Sequence, residues 1–178
     1  EIKARVVVNS GGLASDRIAA LAGMDIDTYR YRLHYCKGEY YRLAAKIQVN
    51  HLIYPIPEHS GLGIHLTKDF GGGQRLGPNA YYVDSCDYDM DEKYRHCFYQ
   101  AARRYLPGLR PGDIRPDYAG IRPKLQGPGE AFRDFVIGEE SAKGFPGFIN
   151  LIGIESPGLT SCLAIGRYVS GIVRELLG

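Results

Sequence analysis

Phe148-Ile-Asn-Leu-Ile-Gly-Ile-Glu-Ser-Pro-Gly-Leu-Thr-Ser161 decides the fold of this 178-residue chain. Phe148 to Ile152 is short and largely apolar, which reads as a buried strand. Gly153, Pro157 and Gly158 break it. A helix is expected to start near Leu159 or Thr160 and to run to Leu177. Leu163, Val169, Ile172, Val173 and Leu176 form its apolar face. A strand, a glycine-containing turn and a helix N-terminus leave backbone N–H groups free beside the positive end of the helix dipole. That suits a phosphate. It suits equally a flavin ring, whose reduction places negative charge at N1 and the C2 carbonyl. The same form also serves as a plain packing unit in α/β proteins.

Outward from this stretch, Val6-Val-Val8 reads as a strand of buried parallel sheet. Asn9, Ser10, Gly11 and Gly12 follow its end, where ligands gather in α/β sheets. Leu13 to Ala22 is helical, with Leu13, Ile18 and Leu21 inward, and Gly23 stops it. Residues 31–83 read as antiparallel strands: 31–35 and 40–43 flanking a Lys37-Gly38 turn, then 48–57, 61–67 and 73–76. Asp89-Met-Asp-Glu92 has the capping-box pattern for a helix to about Tyr105. Tyr94, Cys97 or Phe98, Ala101 and Tyr105 would be its apolar face. Strands follow at 114–122 and 132–137. The chain is therefore α/β at its two ends and α+β overall, with a mainly antiparallel sheet between.

Composition narrows the function classes. A net charge of +2 with no long basic run argues against nucleic acid. Charged residues make up 24% and apolar residues 44%, the balance of a globular domain. No apolar run reaches the roughly 18 residues of a membrane span. Cys36, Cys86, Cys97 and Cys162 lack Cys-x-x-Cys spacing, so they read as reduced, buried or half-buried thiols, and no metal site is expected. The 14 tyrosines read mostly as amphipathic fillers at wet edges.

Few residues have a setting for chemistry. Arg122, in Gly120-Ile-Arg-Pro123, offers a planar fork for a carboxylate or is a surface strand arginine. Lys124 reads as solvated. His65 alternates with Ile64 and Leu66. With those two on the core, it faces a cavity or solvent, as a proton acceptor or as an ordinary polar-face histidine. Tyr40, Tyr41 and Tyr54 could line a cavity. Glu39 reads as a structural partner of backbone or arginine, and Asn79 as a turn former.

The turn Gly153-Ile-Glu-Ser-Pro-Gly-Leu-Thr-Ser161 resembles the C-terminal flavin-contacting turn of FAD-dependent oxidoreductases of the D-amino-acid oxidase class, most of all the L-2-hydroxyglutarate dehydrogenase branch. Val6 to Gly23 resembles a middle segment of the class's FAD domain. Lys37-Gly-Glu-Tyr-Tyr41 resembles the turn that opens the branch's substrate domain. Ile53-Tyr-Pro-Ile-Pro57, Leu62-Gly-Ile-His-Leu-Thr67 and Leu76-Gly-Pro-Asn-Ala80 resemble its central strands, and Tyr118-Ala-Gly-Ile-Arg-Pro123 its substrate-carboxylate strand. The resemblance implies a Rossmann-like FAD domain in two segments, 1–30 and 139–178, around an inserted substrate domain, 31–138. It implies FAD at Asn9, Ser10, Gly11, Gly12, Gly153, Ile154, Glu155, Ser156, Pro157, Gly158, Leu159 and Thr160. At Glu155 and Ser156 the backbone, rather than the side chain, should bind. Arg122 would hold a small carboxylic acid, with Tyr40 and Tyr54 beside it and His65 as base.

The activity so implied is oxidation of a 2-hydroxy acid, best L-2-hydroxyglutarate, to the 2-oxo acid. Electrons would pass to quinone or oxygen, in the cytoplasm or at the inner membrane as a peripheral protein. An amino-acid or glycine-type oxidase, or a fragment that holds no flavin by itself, are the alternatives. The chain departs from the class in one respect. No Gly-x-Gly-x-x-Gly is present: Gly71 to Gly77 and Gly127 to Phe132 both fail the spacing. A C-terminal half of a longer enzyme, lacking the N-terminal Rossmann unit, is the expectation.

Overall fold

A computed structural model describes residues 2–44, 47–56 and 63–178. The chain forms two compact units, Glu1–Tyr35 with Arg122–Gly178, and Cys36–Ile121. It is a mixed helix-and-sheet fold in which most strand pairs are antiparallel.

The first unit is built on strands β1 (Val7–Asn9), β7 (Val136–Glu140) and β8 (Phe145–Ile152), in the order β1-β8-β7. β1 runs parallel to β8, pairing Val8 with Ile149 and Asn9 with Asn150. β7 is antiparallel to β8, with Gly138 opposite Asn150. Helix α1 (Ser15–Leu21) follows β1, and helix α3 (Gly158–Leu177) follows β8. Ala19, Met24, Tyr31, Leu33, Leu125 and Ile152 form the unit's buried apolar cluster.

Four sequence expectations change here. β1 is parallel, but Val7 and Val8 are 46% and 40% exposed, because β1 is a three-residue strand at the sheet edge. In α1 the buried residues are Ser15, Asp16 and Ala19, and Leu21 is exposed. In α3 the shielded large apolar positions are Ile165, Val169, Ile172, Val173 and Leu176, while Leu163 is 78% exposed. Leu163 is two residues from Ile165, about 200° round the helix, so it cannot share that face. Of the cysteines only Cys36 is buried; Cys86, Cys97 and Cys162 are exposed, and all four are free thiols.

The second sheet, which lies in the second unit apart from the first two residues of β2 and the last three of β6, has β3 (His65–Lys68), β4 (Gln74–Gly77), β2 (His34–Leu43) and β5 (Tyr81–Val83) in that order, and β6 (Ile114–Lys124) also pairs with β2. β4 is antiparallel to both β2 and β3, with Leu66 opposite Leu76. Both leucines are fully buried, with Tyr41, Phe98, Ala102 and Ile114. Lys37-Gly38 is not a turn: β2 runs straight through it. A β-carbon on Gly38 would come within 3.0 Å of Pro78 and 3.1 Å of the Asn79 carbonyl oxygen, so this glycine admits a close backbone. The 48–57 segment contributes a single bridge, Ile53 to Leu66, rather than a strand. Pro57, Gly61 and Leu62 lie outside the described residues.

Helix α2 (Arg95–Ala102) is preceded by a 3₁₀ turn over Glu92–Tyr94. Its cap is Asp91, accepting from the Lys93 N–H at 2.9 Å, rather than Asp89. Phe98 and Ala102 are its buried face, and Cys97 points outward.

Candidate functional site

In the first unit the site grows from the β8–α3 turn. Gly153 has φ of +73°, and a β-carbon there would lie 2.6 Å from Leu125. Only glycine meets both demands. Gly158 is buried, and its β-carbon would lie 2.4 Å from Ile154 Cγ2. α3 begins at Gly158, with Pro157 giving no side-chain cap and no acidic residue in the first turn. The positive end of a 20-residue helix is thus left without an internal counter-charge. Leu159 and Thr160, in that first turn, are exposed.

A cleft of about 460 Å³ lies between α3 and the ends of β1 and β8, walled by Val8, Leu151, Ile154 and Ile165, with Ser10 and Gly12 at one side. Gly12 has φ of +57° and open space where a side chain would stand. Gly11 is different, since its β-carbon would meet Ile18 at 2.4 Å. Asn9 is buried and its side chain is committed internally. It donates to the Ser15 carbonyl at 2.7 Å and to Asn150 Oδ1 at 2.8 Å, and accepts from the Gly11 N–H at 3.2 Å. An apolar wall, a loop with two glycines and an uncompensated helix N-terminus suit a flat ring system with an anionic edge.

Within the turn, the Glu155 side chain is committed internally. Its side chain is 8% exposed, and Oε1 accepts from Lys124 Nζ at 2.6 Å. Lys124, read as solvated, is 17% exposed and ion-paired. Arg122, two residues earlier and on the same strand face, has Nη1 3.8 Å from Glu155 Oε2 and is 34% exposed. Glu155 is distant in sequence from both cations, so no local spacing announced the cluster.

Between β7 and β8, Asn150 Nδ2 donates to Glu140 Oε1 at 2.9 Å, as does the Tyr31 hydroxyl at 2.8 Å. Lys143 donates to the other Glu140 oxygen. Burial pulls the Lys143 ammonium down, but its bonds to Glu140 and Tyr31 outweigh this and lift it to about 12. Burial also pushes the Tyr31 phenol up.

In the second unit, His65 opens β3 and is buried at 6% exposure, with Leu66 on the opposite, core-facing side. The Tyr54 ring packs on it, centroids 4.6 Å apart. Tyr40 stacks on Tyr118 at 4.7 Å. Tyr41 is fully buried against Phe98. Glu39, fully buried, accepts from the Tyr81 hydroxyl, the Asp91 N–H and Asn79 Nδ2, between 2.9 and 3.2 Å. Asn79 also accepts from the Glu39 N–H at 2.7 Å, so it ties strands rather than forming a turn alone. His65 thus meets Tyr54 in one unit, and Arg122 meets Glu155 in the other.

Residues 1–172 match the family described as FAD dependent oxidoreductase (DAO). The chain belongs to this family of FAD-dependent oxidoreductases. It is 40% identical, over 96% of its length, to a mitochondrial L-2-hydroxyglutarate dehydrogenase of Arabidopsis thaliana, covering 38% of that protein. It is 27% identical, over 99% of its length, to an L-2-hydroxyglutarate dehydrogenase of Salmonella houtenae, covering 49%. A glycerol 3-phosphate dehydrogenase of Caloramator mitchellensis is 29% identical over 97% of the chain, which covers 34% of it. The chain thus spans half or less of the length of these relatives. Among solved structures, a dithionite-reduced L-alpha-glycerophosphate oxidase from Mycoplasma pneumoniae with FAD bound superposes with a TM-score of 0.75 at 23% identity. It matches 91% of this chain and 41% of its own. Glycine oxidase from Bacillus cereus gives 0.70 at 18%, over 96% of this chain and 42% of its own. Their common fold is that of Rossmann-like FAD-binding oxidoreductases. No helix among the described residues is long and apolar enough to cross a membrane.

Proposed function

We propose that the protein oxidises a small 2-hydroxy acid, with L-2-hydroxyglutarate as the first candidate, to the 2-oxo acid. The observation that carries this is the 40% identity to the Arabidopsis dehydrogenase over 96% of the chain. FAD, when bound, supplies the two-electron acceptor for the hydride leaving C2. The 153–160 turn and the Ser10–Gly12 loop would hold it, so 1–30 and 139–178 serve the cofactor and 31–138 the substrate. Arg122 receives the substrate carboxylate through its planar fork. His65 takes the hydroxyl proton on a ring nitrogen. Tyr54 holds that ring in place, and Tyr40 lines the substrate side. Quinone or oxygen then removes the electrons, in the cytoplasm or at the inner membrane, with the protein bound peripherally.

Anaerobic mixing of the complete, FAD-loaded protein with L-2-hydroxyglutarate tests this. The flavin absorbance should bleach with the hydroxy acid and not with glycine or other amino acids. Bleaching by amino acids alone would make it an amine oxidase, and no bleaching by either would overturn the reading.

A further inference from the structure

Two cations and one carboxylate share the end of β6 and the β8–α3 turn. They are not shared evenly. Lys124 takes Glu155 at 2.6 Å, with both side chains largely out of water. Arg122 stands 3.8 Å from the other carboxylate oxygen, beyond hydrogen-bond reach, and keeps a third of its side chain exposed. Among the described residues the Arg122 guanidinium donates no hydrogen bond, so its donors are uncommitted while a nearby negative charge holds the group in place. The cluster carries one net positive charge, and that charge sits on its most exposed member.

We propose that Lys124 and Glu155 are positioning residues for a carboxylate receptor at Arg122: Lys124 neutralises Glu155, and Glu155 aims the Arg122 fork without occupying it. The ligand class is a small carboxylate. The proposal rests on the reading that Arg122 faces substrate, and extends it to two residues outside the Gly-Ile-Arg-Pro strand motif. Without Lys124, Glu155 would turn to the arginine fork and compete with the incoming carboxylate. Removing both charges together would leave Arg122 open again. Glu155 belongs to the turn assigned to the flavin, so the same side chain ties the carboxylate site to the cofactor turn.

Calorimetric titration of glutarate, a dicarboxylate with no oxidisable hydroxyl, into the complete FAD-loaded protein reads the receptor without turnover. Arg122→Met should weaken binding roughly tenfold to a hundredfold, the worth of a charge-assisted pair. Lys124→Met should weaken it about tenfold, with FAD absorbance retained. Lys124→Met/Glu155→Gln should recover to within about threefold of the unmodified protein, a rescue that a merely structural lysine would not show. Lys124→Gln replaces Lys124→Met if that variant loses its flavin. Unchanged binding in the single variant, or a double variant no better than the single, overturns the proposal. Glutarate binding with this pattern but no bleaching by hydroxy acids would support the receptor and sink the activity. Bleaching without glutarate affinity would do the reverse.

Discussion

At Gly158 there is no room for a single added carbon: Ile154 Cγ2 would stand 2.4 Å away. Gly153 has both a crowding neighbour, Leu125, and a left-handed backbone. These two glycines shape the turn, and Glu155 between them carries its buried charge. Gly158→Val should therefore displace Ile154 and the start of α3, at the roughly 1–3 kcal/mol of an overpacked site. The expected result is a protein purified with a lower FAD-to-protein ratio. The ratio is read from the visible spectrum against total protein. An unchanged ratio would move the cofactor contact away from this turn.

Among the elements, β7, β8 and the segments around α1 are joined by a buried polar chain: Asn9, Asn150, Glu140, Tyr31 and Lys143. Each strand pair in the first unit is thus fixed by side chains as well as by its ladder, and the Asn9–Gly12 loop is anchored at one end. A buried glutamate survives because three donors meet it. Lys143 holds its proton to about pH 12 in the folded state and to about 10.5 when free. A raised pKa contributes stability that is complete below the unfolded value and fades as pH climbs through the folded one. Tyr31, also raised, acts in the same direction. Urea midpoints by circular dichroism should thus fall between roughly pH 10.5 and 12, and Lys143→Met should flatten that fall while lowering the midpoint near neutrality. A variant with the full alkaline slope would assign the effect to other groups.

For the whole molecule, the two units draw on different stretches of chain, and the first is discontinuous in sequence. Its cleft of about 460 Å³ lies against the β8–α3 turn and the Ser10–Gly12 loop. No Gly-x-Gly-x-x-Gly accompanies it in these 178 residues, so the pyrophosphate has no strand-to-helix cradle of that kind. The 178 residues alone should consequently bind FAD weakly. Equilibrium dialysis measures this directly. Submicromolar affinity would show that the β8–α3 turn and the Ser10–Gly12 loop suffice.

The strand–turn–helix at 148–177 was legible because its signals are local: an apolar run, then glycine and proline breakers, then a 3.6-residue period. Glycine 153 and glycine 158 stand where the backbone needs them, and such needs show in the sequence. The antiparallel character of 31–83 was legible for the same reason. Its exact strands were not: Gly38 looked like a turn, and only the approach of Pro78 and Asn79 explains a glycine inside β2. Periodicity likewise left Leu21 as a core candidate, and neighbours that supply or withhold cover decided otherwise. The site divides in the same way. Arg122 and His65 could be picked out by their flanking residues. The burial of Glu155, its capture by Lys124 and the incomplete approach to Arg122 join residues 31 positions or more apart. Charges that far apart in sequence meet only when the chain folds, so tertiary structure alone chose which carboxylate each cation received.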